Sequence, residues 1–275
     1  MKQTAHATGN PHKGALSSLV LGLLVVFFGF AAHYRNFAWI DAARLWRDVT
    51  EKSPEKARPH YNLATVLANA GRLNEALAED FKAIDIYPGY GRAYFNIGAI
   101  YHAWGRIDEA IDKYRAALIL EPALVEAHNN LGYAYYKKGL LEEALKEYNA
   151  ALAIKPSHVK SLVNAGSAYK DEKRWADAES SFRKALALQP GYAKAHYLLG
   201  EVYLSENRLK PALDEFREAL RLDPEIAQAH NGIGRIYERL NRRNKAAAEY
   251  KAALALDPGY EDAASNLQRL NGTAK

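Results

Sequence analysis

The 275 residues carry 37 Lys and Arg against 32 Asp and Glu, 49% hydrophobic residues and no cysteine. Disulfides, thiolate catalysis and cysteine-based zinc sites are thereby excluded. Residues 1–56 hold seven of the basic and four of the acidic side chains, so the remainder has 30 against 28, a near-neutral balance that argues against a nucleic-acid partner.

The polar stretch 1–14 has too little apolar content to fold and reads as a disordered tail. Residues 15–32, ALSSLVLGLLVVFFGFAA, then run eighteen positions without a charge, barely enough for a transmembrane helix. Lys2 and Lys13 before the run and Tyr34, Arg35 and Trp39 after it suit a signal anchor. Gly29-Phe30-Ala31 offers the small residues of a cleavable signal peptide instead, and a buried soluble helix is the third reading. Ala15, Ser18, Gly22, Gly29 and Ala32 fall on one face at helical spacing. Ser18, Gly22 and Gly29 are therefore candidates for packing against a second helix in the membrane, although small residues are also frequent in membrane helices at large. An anchor behind so short a tail most simply leaves the body of the chain outside the cytoplasm. The expected location is a single-pass membrane protein with its repeats in the periplasm or a lumen.

From Ala57 onward the chain repeats itself every 34 residues, at 57–90, 91–124, 125–158, 159–192, 193–226 and 227–260. Counting places within each copy, place eight is small (Ala64, Gly98, Gly132, Gly166, Gly200, Gly234) and place twenty is Ala. Place twenty-seven is Ala again, from Ala83 to Ala253, and place thirty-two is Pro, from Pro88 to Pro258. Within 125–158 the apolar residues Leu131, Tyr135, Leu141, Ala144, Leu145, Tyr148, Ala151 and Leu152 recur at steps of three and four, which predicts two amphipathic helices. The turn between them carries Gly139, matched by Gly71, Gly105, Asn207 and Asn241, residue types that tolerate a left-handed backbone; Lys173 breaks the rule. Place eight is expected to let the place-twenty Ala approach, and the proline to stop the second helix. Such a hairpin cannot bury its own apolar face and must stack on its neighbours. Counting back one period puts Ala42, Trp46, Val49 and Pro54 at places twenty, twenty-four, twenty-seven and thirty-two, so 33–56 reads as a second helix without a first, a half-repeat joining membrane segment to repeats.

The residues Tyr94, Ile97, Gly98, Tyr101, Ala110, Tyr114, Ala117 and Pro122 match the tetratricopeptide repeat pattern, and over 57–260 the chain resembles that family. The resemblance implies an all-α fold, a right-handed superhelical solenoid of helix-turn-helix repeats, here preceded by one transmembrane helix. The first copy departs most, with His60, Leu67 and Asp80 where the family usually has aromatics. The junction Tyr34-Arg35-Asn36, Trp39, Leu45-Trp46, Pro54 and Tyr61-Asn62-Leu63 also resembles the one in tetratricopeptide-repeat O-mannosyltransferases; their multi-pass catalytic part has no counterpart here, so no activity follows. Residues 261–275 read as a capping helix and tail, a polar end of the kind open arrays need.

Helix-one places two, five, six, nine and twelve are expected to line a concave binding face. Place six is Asn62, Asn96, Asn130 and Asn164, lapses to Leu198 and Gly232, and returns as Asn266. Amides both donate and accept, so such a column can hold an extended backbone, as in the resembling O-linked N-acetylglucosamine transferases; asparagine is equally common there in the family as a whole. Tyr61, Phe95, Tyr133, Tyr136 and Tyr197 add aromatic contacts, and Arg58, Arg92, Lys160 and Lys194 at place two favour an acidic partner. The family's carboxylate clamp, Lys at place five with Asn at nine, is not met by Tyr61 and Thr65. His60, His128, His196 and His230 share place four, but neighbouring helices stand about 8–10 Å apart and zinc bonds are about 2 Å, so packing is expected and no metal site. No phosphate loop, His-Glu-x-x-His or Gly-x-Ser-x-Gly occurs; no catalytic residue, cofactor or enzyme is expected. The function read from the sequence is a membrane-anchored scaffold that binds a protein or peptide. The alternatives are an accessory or C-terminal portion of a membrane protein O-glycosyltransferase system, and a secreted or periplasmic binding protein.

Overall fold

The computed structural model describes residues 42–272, which form fourteen helices and, among those residues, no strand. In chain order they are α1 Ala42–Lys52, α2 Ala57–Asn69, α3 Leu73–Ile86, α4 Gly91–Ala103, α5 Ile107–Leu120, α6 Val125–Lys137 and α7 Leu141–Ile154. They continue with α8 Val159–Asp171, α9 Trp175–Leu188, α10 Ala193–Ser205, α11 Leu209–Leu222, α12 Ala227–Arg239, α13 Arg243–Leu256 and α14 Glu261–Gly272. The apolar segment 15–32, with Ser18, Gly22 and Gly29, lies outside the described residues, and no described helix is long and apolar enough to cross a membrane. The chain divides into two compact units, one ending at Ile100 and one starting at Tyr101.

In the first unit α2 pairs with α3, and α1 packs on α2 with Ala43 and Trp46 against Leu63 and Leu67. In the second, α6–α7, α8–α9, α10–α11 and α12–α13 are hairpins, and each first helix also touches the next first helix, up to α14. Among the described residues the second helices α7, α9, α11 and α13 do not touch one another. First helices therefore line the shorter, inner side of this unit.

Every first-to-second turn carries one left-handed residue: Gly71, Gly105, Gly139, Lys173, Asn207 and Asn241, with φ of 58–76°. Lys173 thus adopts the same backbone as the glycines despite its side chain. The small residue at place eight has a second reason beyond the one expected. A Cβ on Gly132 would sit 2.8 Å from the Tyr148 ring and 3.0 Å from the Ala144 carbonyl oxygen, so the aromatic at place twenty-four occupies the space as much as the alanine at twenty. Tyr114, Tyr148, Phe182, Phe216 and Tyr250, all fully buried, form that ring row in the second unit, flanked by the equally buried alanines of places twenty and twenty-seven.

Candidate protein-binding face

Helix-one geometry places the cationic place-two residues Arg58, Arg92, Lys160 and Lys194 in solvent, and Tyr61, Phe95, Tyr133, Tyr136 and Tyr197 half-buried. In the first unit Tyr61 packs on Tyr90 at 5.0 Å between ring centres. In the second, Tyr133 and Tyr136 stack at 6.3 Å with 20° between planes, His102 meets Tyr133 edge-on at 5.3 Å, and the Tyr136 hydroxyl donates to Asp171 at 2.5 Å. Tyr197 lies against Phe216 at 6.1 Å, and burial pushes its hydroxyl pKa up.

Three of the place-six asparagines, Asn96, Asn164 and Asn266, donate from their amides to neighbouring copies. Asn164 donates to Asn129 Oδ1 at 3.0 Å, and Ser161 donates to the same oxygen at 3.1 Å. Asn266 donates to Asn231 at 3.0 Å, and Asn96 to Thr65 Oγ1 at 3.2 Å and Asp80 Oδ1 at 3.5 Å. Asn130 accepts from Asn129 at 3.2 Å and lies within reach of the Tyr114 hydroxyl; Asn62 is half-buried on α2. The lapses in the column coincide with phenylalanine in the ring row. Place six is Asn where place twenty-four of the copy before ends in a polar group (Trp46, Asp80, Tyr114, Tyr148, Tyr250), and Leu198 or Gly232 where it is Phe182 or Phe216. At Gly232 the reason is steric, since a Cβ there would stand 2.6 Å from the Phe216 ring.

Two periodic devices escaped the sequence. The place-four histidines join three chain segments: Nδ1 of His60, His128, His196 and His230 meets Glu79, Glu147, Glu215 and Glu249 at 2.6–2.7 Å. Nε2 of the first three donates to the carbonyl oxygens of Pro54, Pro122 and Pro190 at 2.9–3.0 Å. Burial opposes ionisation of Glu79, yet hydrogen bonds from His60 and Lys82 outweigh it and hold its pKa below the usual range. The second device links place twenty-five to the place-eleven tyrosine twenty residues on. Arg115, Arg183 and Arg217 donate to the hydroxyls of Tyr135, Tyr203 and Tyr237 at 2.9–3.3 Å. The invariant spacing of His and Glu by nineteen, and of Arg and Tyr by twenty, was the available signal; its meaning needs the stacking geometry. Among the described residues no three His, Asp or Glu side chains gather as a metal site.

The first unit holds an open pocket of about 200 Å³ lined by Thr65, Ala68 and Asn69 of α2, Leu73 of α3, and Asn96, Ala99 and Ile100 of α4. Below it Asp80 is fully buried with Oδ2 unpartnered. Burial, against the Asn96 hydrogen bond, pushes its pKa up to about 8.

A tetratricopeptide repeat model matches residues 39–91, 163–224 and 211–261, a second matches 125–158, and a TPR repeat model matches 100–139. These matches concern the repeats and do not bear on the O-mannosyltransferase resemblance of the junction. No curated protein matches the sequence. Among solved structures, the chain is similar to the APC/C hetero-tetramer Cut9-Hcn1, with 21% identity, a TM-score of 0.71 and 82% of this chain covered. It spans only 45% of that chain, and the likeness is one of fold. MamA is 28% identical over 59% of this chain and 95% of its own, at a TM-score of 0.54. YrrB, described as a TPR protein with an unusual peptide-binding site, is 25% identical over 68% of this chain and 97% of its own, at 0.58. With one family model alone matching more than half its length, and helical hairpins throughout the described residues, the chain belongs to the tetratricopeptide repeat family.

Proposed function

We propose that this protein is a membrane-anchored scaffold that holds a protein or peptide partner on its first-helix face. The observation that carries the reading is what packing leaves at the surface of each unit: exposed Arg58 with half-buried Tyr61 and Phe95 in the first, and exposed Lys160 and Lys194 with half-buried Tyr133 in the second. Cations flanking adaptable aromatic rings suit an acidic segment of a partner. YrrB, a relative in fold with a peptide-binding site, supports the same use. Asn164 and Asn266 each spend one amide N–H on packing and keep an amide oxygen and a second N–H for a partner.

The test is cross-linking of the full chain in its native membrane, followed by identification of the captured protein. Lys160→Glu with Lys194→Glu should cut capture by about tenfold, the loss of two charge contacts, while Lys146→Glu on α7 leaves it unchanged. Equal capture by both variants sinks the reading. The anchor rests on the uncharged run 15–32, and membrane fractionation with intact mass tests it. A soluble chain shortened by about 31 residues would instead be a secreted or periplasmic binding protein. Co-purification with a multi-pass catalytic subunit would mark the accessory O-glycosyltransferase alternative.

A further inference from the structure

We propose that the pocket of the first unit receives one aromatic side chain, tyrosine in preference to phenylalanine, from an acidic segment of the partner; this rests on the protein-binding reading above. Ala68 and Ala99 wall the pocket at places twelve and nine of consecutive copies. One repeat on, those two places are His102 and Tyr133, whose rings pack edge-on at 5.3 Å. The first unit therefore has an opening walled by two alanines where the second has two rings. Its size suits the same kind of occupant, since an apolar cavity of about 150 Å³ already holds benzene.

The chemistry of the walls selects among rings. Ala68, Leu73, Ala99 and Ile100 give apolar contact. Asn96 is fixed by donating to Thr65 Oγ1 and Asp80 Oδ1, which leaves its Oδ1 as an acceptor, and Asn69 adds an exposed amide at the rim. A phenol hydroxyl can donate to Asn96 Oδ1; a phenyl ring cannot. The surrounding charge selects the segment. Of the lining helices, α2 and α4 contain no Asp or Glu and each has an Arg at its second position, Arg58 and Arg92, while on α3 the Glu75 carboxylate beside Leu73 is paired with Arg72. Arg58 stands seven residues, about 10 Å of helix, from Thr65. An extended chain covers that distance in about three residues, so the fitting motif is an acidic residue three positions from the tyrosine.

The probe is the N-acetylated, amidated peptide Glu-Ala-Ala-Tyr, read by saturation-transfer NMR against the full chain. Saturation of the tyrosine ring protons is expected. The Phe peptide should bind about fivefold more weakly, the value of one hydrogen bond, the Gln-Ala-Ala-Tyr peptide more weakly with loss of its salt dependence, and the Ala peptide not at all. Ala99→Tyr, which copies Tyr133, should abolish the signal, and Ala99→Ser should keep it. Ala68→His, copying His102, is the second filler, so that the result stands if one filler disturbs folding. Saturation that survives both fillers, or none with the unsubstituted chain, overturns the proposal. Partner capture sensitive to Lys160 and Lys194 but no peptide signal would overturn the pocket alone; loss of both would overturn the protein-binding reading as well.

Discussion

Lys173 carries a strain that its counterparts in the other turns avoid or reduce. Its φ of 59° puts a long side chain in the left-handed region, where Gly71, Gly105, Gly139, Asn207 and Asn241 relieve the Cβ clash by having no Cβ or a short polar side chain. Lys173→Gly should raise stability by about 0.5–1 kcal/mol, seen as a higher midpoint in chemical denaturation, whereas Gly139→Lys should lower it by a similar amount; an unchanged midpoint in both would mean the turn is not strained. Asp80 is the other residue whose local chemistry runs against its surroundings. Burial raises its pKa from 3.8 to about 8, so between those values the folded state holds a proton that the unfolded state has released. Stability from this group is greatest below about pH 4, falls as pH rises to about 8 and is flat above. Asp80→Asn keeps the hydrogen bond to Asn96 without the ionisable group. Thermal melts of the two proteins should therefore lie close together at pH 4 and separate towards pH 8, with the variant the more stable; parallel curves would show that Asp80 ionises normally.

At the scale of the element, the coupling between a ring and the next helix limits what can stand at Gly232. Phe216 presses on Gly200 of its own hairpin and Gly232 of the next, where a Cβ would fall 2.8 and 2.6 Å from ring carbons. Gly232→Ala should cost about 1–3 kcal/mol through overpacking, and Phe216→Leu in the same chain should recover part of that loss, a coupling that a double-mutant cycle measures. Additive losses would place the strain elsewhere. The 34-residue period, the alanine rows and the proline stops were legible because each reports a local rule: close helix approach, or an absent N–H. The asparagine column was legible as a pattern but its packing partners were not, because donors from Asn164 and Asn266 reach Asn129 and Asn231 thirty-five residues back. Only stacking brings those positions together. The pocket was illegible for a related reason: two alanines at places nine and twelve mean nothing until the rings that occupy those places one repeat on are seen in contact.

For the second unit as a whole, each hairpin is held by its neighbours, so the last helix should matter mostly to the pair it covers. α14 buries Ala263 and Leu270, and Leu270 joins the cluster containing Ile236, Tyr237 and Tyr250. Three polar ties reinforce it: Arg243 donates to the Leu270 carbonyl at 2.7 Å, Asn266 to Asn231 at 3.0 Å, and Arg269 pairs with Glu238. Ending the chain at Tyr260 removes all of these and bares the Tyr250 side of the core. The loss should be at least about 2 kcal/mol, the value of one buried leucine, and its location is the sharper expectation. Hydrogen exchange should accelerate in α12 and α13, whose packing surface is uncovered, while α8 and α9, two hairpins away, keep their protection. Uniform acceleration from α8 to α13 would mean that the unit unfolds as one cooperative body and that nearest-neighbour stacking does not describe its energetics.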